Sequence, residues 1–161
     1  MKKKTAILTA LVALLALVLT ACGDNANSKT TQPAQVIAAG ESLTIPTASV
    51  SDTATFYPIT VEGTRMEVLA VKAPDGTIRT AFNTCQVCYS SGQGYYKQVG
   101  SVLQCQNCKN QFPMSAVEVE SGGCNPYPIF AKDKTVTDDS IRIDYDFLLQ
   151  AKAIFANWKK F

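Results

Sequence analysis

Hydrophobic and polar positions divide the chain into three stretches of different rhythm. From Ala6 to Ala21 there is no charge, and Ala and Leu dominate over about 16 residues, at the short end of what spans a bilayer. From Gly23 to about Glu41 large apolar residues are few, and Asn, Ser, Thr, Gln, Ala and Gly take over. Such a stretch cannot offset the entropy of its own ordering, so a flexible tether is expected over residues 22–41. From Ser42 onward short apolar runs alternate with turn residues, the rhythm of a small β-rich domain over residues 42–161. Leu43-Thr44-Ile45, Thr55–Val61 and Met66–Val71 read as strands, with Pro58 placing the second at an edge or bulge. Ala73-Pro74-Asp75-Gly76 is a turn that returns the chain into Thr77–Phe82. A further hairpin is expected over Tyr95–Leu103, and a late strand at Ile141-Arg142-Ile143. After Asp144, a candidate cap, Phe147, Leu148, Ala151, Ile154, Phe155 and Trp158 recur at spacings of three and four, which predicts a C-terminal amphipathic helix with its aromatic face in the core. The fold class expected is mainly β (α+β).

The first stretch changes meaning once its flanks are read. Lys2, Lys3 and Lys4 precede the apolar run, and Leu19-Thr20-Ala21-Cys22-Gly23 follows it. A basic start, a short apolar segment and small residues at a cut site make an export signal over residues 1–21. The Cys22 motif resembles the bacterial lipobox, in which the cysteine thiol accepts diacylglycerol and becomes the new N-terminus. Membrane lipid through Cys22 is therefore an expected partner, and the extracytoplasmic face of the cell membrane the expected location. Removing the signal takes three of the 15 basic residues and none of the 13 acidic ones, so the remainder carries 12 against 13. The basicity belongs to the signal, and no nucleic-acid partner is expected.

Candidate chemistry rests on cysteine. Cys85-Gln86-Val87-Cys88 and Cys105-Gln106-Asn107-Cys108 are separated by 16 residues. Each CxxC turn presents two sulfurs on one side of a tight loop, and two such loops supply four thiolates to one ion at the spacing of zinc-ribbon and rubredoxin-like knuckles. Phe112 is either an aromatic cover for this site or ordinary core packing. Cys124, in Ser121-Gly122-Gly123-Cys124-Asn125-Pro126, sits on a tight loop whose glycines suit a close backbone approach. It reads as a fifth ligand, a ligand to a second metal, a redox partner or an idle thiol. Gly92-Gln93-Gly94 is too short for a phosphate loop and reads as a flexible turn. The chain has no histidine, which excludes Cys₂His₂ zinc, Rieske centres, histidine-ligated haem and any Ser-His-Asp triad. A metal here must be held mainly by thiolate, which suits zinc, iron, iron–sulfur clusters or Cu(I). The expected compartment favours disulfides instead, although CxxC bridges close very small loops and constrain the unfolded chain little.

Taken together, Phe56-Tyr57, Val61-Glu62-Gly63, Asp75–Asn83, Cys85-x-x-Cys88-Tyr89, Gly92-x-Gly94-Tyr95-Tyr96, Cys105-x-x-Cys108, Phe112 and Gly122-Gly123-Cys124-Asn125-Pro126 resemble the FtrD-like membrane iron–sulfur proteins. The resemblance covers about residues 50–130. It implies a membrane-associated metal or redox protein linked to iron uptake, beside a permease or redox partner. Carried over, it implies Cys85, Cys88, Cys105 and Cys108 as ligands of iron or an iron–sulfur cluster, with Cys124 at the same site. Two other functions compete with electron transfer or metal handling. A binding module with structural zinc needs only the ribbon geometry. A thiol–disulfide oxidoreductase needs one reactive CxxC, but no amphipathic helical run follows Cys88 as that motif requires. No second catalytic constellation is present, which favours a non-enzymatic protein.

Overall fold

A computed structural model describes residues 33–160. The expected signal, the lipobox Cys22 and the tether as far as Gln32 lie outside the described residues. The strands are β1 (Gln35–Val36), β2 (Ser42–Pro46), β3 (Thr55–Val61), β4 (Thr64–Lys72), β5 (Ile78–Cys85), β6 (Tyr96–Val99), β7 (Val102–Cys105), β8 (Gln111–Pro113), β9 (Pro126–Pro128), β10 (Thr135–Val136) and β11 (Ser140–Asp144). A helix, α1 (Tyr145–Gln150), follows β11. The fold is mainly β, as the alternation in the sequence predicts.

Strands β1, β3, β4, β5 and β9 form one sheet in that order, antiparallel except for the parallel β1–β3 pair. The β3–β4 hairpin turns on Glu62 and Gly63, both at positive φ (44° and 75°), the signature of a two-residue turn that matches strand twist. Pro58 lies just before Ile59 and Thr60, the two β3 residues that pair with β1, so its missing N–H costs no ladder bond there. Strands β10, β11 and β2 make a second sheet, and β6, β7 and β8 a third.

Side chains on β4 alternate between two cores, as period-2 geometry requires. Met66, Val68 and Ala70 join Leu43 and Ile45 of β2, Ile141 and Ile143 of β11, and Phe82 of β5. Leu69 and Val71 face the other way, with Ala81, Cys85, Tyr96, Leu103, Cys105 and Phe112. The central sheet is thus shared by an apolar core and a cysteine-bearing one.

Two expectations change in outline. The domain begins earlier than Ser42: β1 pairs with β3, Ile37 is buried, and its amide donates to the Thr60 carbonyl at 3.0 Å. Residues assigned to the tether are therefore edge structure. The C-terminal helix is shorter than its aromatic periodicity predicts: α1 stops at Gln150 and continues as a 3-10 turn, Ala151–Phe155. Long-range bonds hold this segment, with the Thr84 hydroxyl donating to the Ile154 carbonyl (3.3 Å) and the Trp158 indole to the Arg65 carbonyl (3.1 Å). Leu148, Phe155 and Trp158 are buried in the apolar core, as expected of the aromatic face. Asp144 occupies the capping position without capping; its carboxylate accepts from the Ser42 hydroxyl at 2.7 Å.

Candidate metal centre

The first CxxC loop begins at the end of β5. Between Phe82 and Cys85 the pairing of β5 with β9 slips, which frees Asn83 from that ladder. Its side chain takes over the role of a strand partner: Oδ1 accepts from the Tyr96 amide (2.8 Å), and Nδ2 donates to the Tyr96 carbonyl (3.3 Å) and to Glu67 (2.6 Å). This ties β6, and through it the third sheet, to the sheet that carries Cys85. Within the loop the Cys88 amide donates to Cys85 Sγ at 3.4 Å.

The second loop follows β7. Tyr96 of β6 pairs with Cys105, so the two hairpin strands deliver this cysteine opposite a buried tyrosine. The Lys109 amide returns to the Cys105 carbonyl at 3.0 Å, with Lys109 itself at φ 65°. Phe112 is buried in the same cluster of side chains as the cysteines.

Cys124 reaches the first loop by several bonds. The Gln86 amide donates to the Asn125 carbonyl (3.1 Å), and the Gln86 side-chain oxygen accepts from the Gly122 amide (3.0 Å). The Tyr96 hydroxyl donates to the Cys124 carbonyl at 2.5 Å. Upstream, Glu118 is clamped by Lys134 and by the Thr80 amide (2.8 Å), in a largely buried pair that seats the loop on β5. Gly122 and Gly123 serve positive φ (88° and 59°) and not a close approach, because a Cβ on either would meet open space.

The close approach is at Gly94, which the sequence places in a flexible turn. A Cβ there would lie 2.3 Å from the Cys88 carbonyl oxygen. Residues 88–94 are pinned on both sides: the Cys85 amide donates to Gly94 (2.7 Å), Gly94 to Trp158 (2.8 Å), Gly92 to Asn157 (2.7 Å) and Lys160 to Gly92 (2.9 Å). Backbone supports from residues 157–160, together with Asn83, Gln86 and Tyr96, escape sequence reasoning. They are not ligand types, and their partners lie far along the chain.

All five cysteines among the described residues are free thiols. Their sulfurs form two groups, each with every Sγ within 4.8 Å of the others: Cys85, Cys88 and Cys105 in one, and Cys88, Cys108 and Cys124 in the other. Every cysteine of the two motifs is thus brought together with Cys124, and Cys88 belongs to both groups. The first group is buried, whereas Cys108 and Cys124 are half-buried.

The surroundings pull these thiols in opposite directions. Burial raises Cys85, but the Tyr96 hydroxyl and the Cys88 and Val87 amides outweigh it and hold the thiol below its ordinary value. Burial raises Cys108 too, and the Asn110 amide with the neighbouring thiols outweighs it downward. In Cys88 burial prevails over the Asn107 side chain, and the thiol is raised. Burial also prevails in Cys105, despite the Cys108 and Asn107 amides. Cys124 is pushed up to about 12, by burial first and Cys108 second. Buried sulfurs that already accept amide N–H bonds suit a cation that replaces their protons. The donor set fits a thiolate-bound metal such as zinc or iron.

A family model described as "Membrane iron-sulfur containing protein FtrD-like" matches residues 50–155, which include all five of these cysteines. No curated protein and no solved structure matches the chain. Among the described residues no helix is long and apolar enough to cross a membrane.

Proposed function

The chain belongs to the FtrD-like family of membrane iron–sulfur proteins, and from that premise we propose that it is a lipid-anchored electron-transfer or metal-handling protein of iron uptake. In this reading Cys22 carries the lipid and the domain stands on the extracytoplasmic face, beside a membrane permease or redox partner. Cys85, Cys88, Cys105, Cys108 and Cys124 hold iron or an iron–sulfur cluster. The observation that carries the reading is the convergence of five free thiols, from three loops, into two groups of sulfurs.

Bound iron would supply a one-electron couple. The residues around it set the terms. Amide N–H groups of Val87 and Cys88 on Cys85, and of Asn107 and Cys108 on Cys105, disperse negative charge on sulfur and favour the more reduced state. Burial of Cys85 and Cys105 keeps water from the inner sulfurs, while the partial exposure of Cys108 and Cys124 offers a short route to the surface. Exposed Val87 and Tyr89 beside the first loop give that surface an apolar character.

The test is elemental analysis and visible absorbance of the full chain purified without oxygen. Stoichiometric iron with thiolate-to-iron bands that bleach with dithionite is the expected result. A colourless chain with stoichiometric zinc would replace this reading with a structural-zinc module, and a metal-free chain with one reactive thiol would replace it with a thiol–disulfide oxidoreductase.

A further inference from the structure

No four of the five sulfurs all lie within 4.8 Å of one another. A single tetrahedral ion with metal–sulfur bonds of about 2.3 Å needs four sulfurs, every pair separated by about 3.8 Å. The four cysteines of the two CxxC motifs do not form one group; they are divided between two groups of three, and Cys88 is the common member. We propose that the site holds two divalent, thiolate-preferring ions that share the Cys88 sulfur. Cys85 and Cys105 complete the inner ion's protein ligands, and Cys108 and Cys124 those of the outer one. This rests on the reading above that the thiols bind metal.

Charge favours the same count. Cys85, Cys88 and Cys105 are buried, and the lysine of the second loop, Lys109, turns its ammonium to the Gln106 carbonyl at 2.5 Å. One divalent ion against four thiolates leaves two negative charges in a region poor in solvent, with the fifth sulfur idle as a thiol; two ions against five thiolates leave one. A bridging thiolate is the sulfur that needs no separate positive partner, and Cys88 is the one that lies within 4.8 Å of all four others. The arrangement also gives Cys124 a task. Its loop is carried to the first CxxC by Gln86 and Tyr96, and it completes the outer group with Cys88 and Cys108. Each ion would keep a place open to water or inorganic sulfide.

Cobalt titration of the full chain, stripped of metal in detergent under anaerobic conditions, tests this. Thiolate-to-cobalt absorbance should rise through two equivalents. The paramagnetic resonance signal should grow over the first equivalent and fall over the second, because spins coupled through a shared thiolate cancel. Cys124→Ser and Cys108→Ser should saturate at one equivalent with no fall in signal, and Cys88→Ser should lose the coupling. Fluorescence of Trp158, in the apolar core, reports whether each variant remains folded. Saturation of the native chain at one equivalent would overturn the two-ion site while leaving a metal protein. So would two uncoupled ions, or a Cys124→Ser variant that still binds two. A folded native chain that binds no cobalt would overturn both this proposal and the function it rests on.

Discussion

The two faces of the central sheet are packed with different materials. On one face Ile, Val, Leu, Phe and Trp side chains from β2, β3, β4, β11 and the C-terminal segment fill the core. Phe82 stacks on Phe147 at 5.7 Å and meets Phe155 edge-on at 5.5 Å, and Phe155 meets Trp158 edge-on at 5.1 Å. On the other face the strands are three or four residues long and the buried groups include three cysteines, a tyrosine and small alanines. The first region is held by apolar burial and stands without a ligand. The second brings sulfurs together where burial alone opposes their ionisation, so on the proposed reading its stability depends on the metal they hold.

The strongest way to separate the two regions is to withdraw the proposed metal. Amide exchange in β6, β7 and β8 should accelerate by orders of magnitude after anaerobic chelation, while β3, β4 and β5 keep their protection. Uniform acceleration in both regions would erase the distinction. Next, Phe82→Ala should cost about 3–5 kcal/mol in urea unfolding through loss of a fully buried ring, and the folded fraction should keep its metal stoichiometry.

Gly94→Ala should act in the opposite region. Its Cβ would strike the Cys88 carbonyl, so the first loop must shift at a cost of about 1–3 kcal/mol, with metal content falling more than global stability. A smaller effect is expected of Tyr96→Phe, about 1 kcal/mol, since it removes the hydroxyl that binds the Cys124 carbonyl and leaves the ring in place. Faster exchange should be confined to the Cys124 loop and to the first CxxC loop, whose Cys85 the same hydroxyl faces. The smallest effect lies outside both regions. The Thr77 hydroxyl and amide, with Arg79, hold Asp75 at about 2, below its ordinary 3.8. A depressed folded value stabilises at pH above about 4 and is lost as pH falls from about 4 toward 2. Asp75→Asn should flatten the unfolding midpoint over that window alone.

The apolar region was the more legible in sequence. Strands β3, β4 and β5 announce themselves by alternation and by the Glu62-Gly63 and Ala73–Gly76 turns, because local rules and burial agree there. The extra edge strand β1 has two residues, and β9 is Pro-Tyr-Pro, too short and too poor in strand formers to register as periodic. The C-terminal aromatics predict a longer helix than forms, since spacings of three and four fit both an α-helix and the tighter turn that the Thr84 and Trp158 bonds accompany. In the cysteine region residue type was enough to find all five thiols. How the sulfurs group was not legible, because it depends on how three loops meet and on a glycine whose neighbour, the Cys88 carbonyl, carries no side-chain signal.

The backbone bonds between residues 88–94 and residues 157–160 have a consequence for order of assembly. The Asn157 side chain that holds the Ser90 carbonyl stands 67 positions downstream of it. A chain made from its N-terminus therefore presents all five thiols before the segment that braces the first loop has been synthesised. A truncation or fusion placed near residue 157 would leave the first loop without that brace.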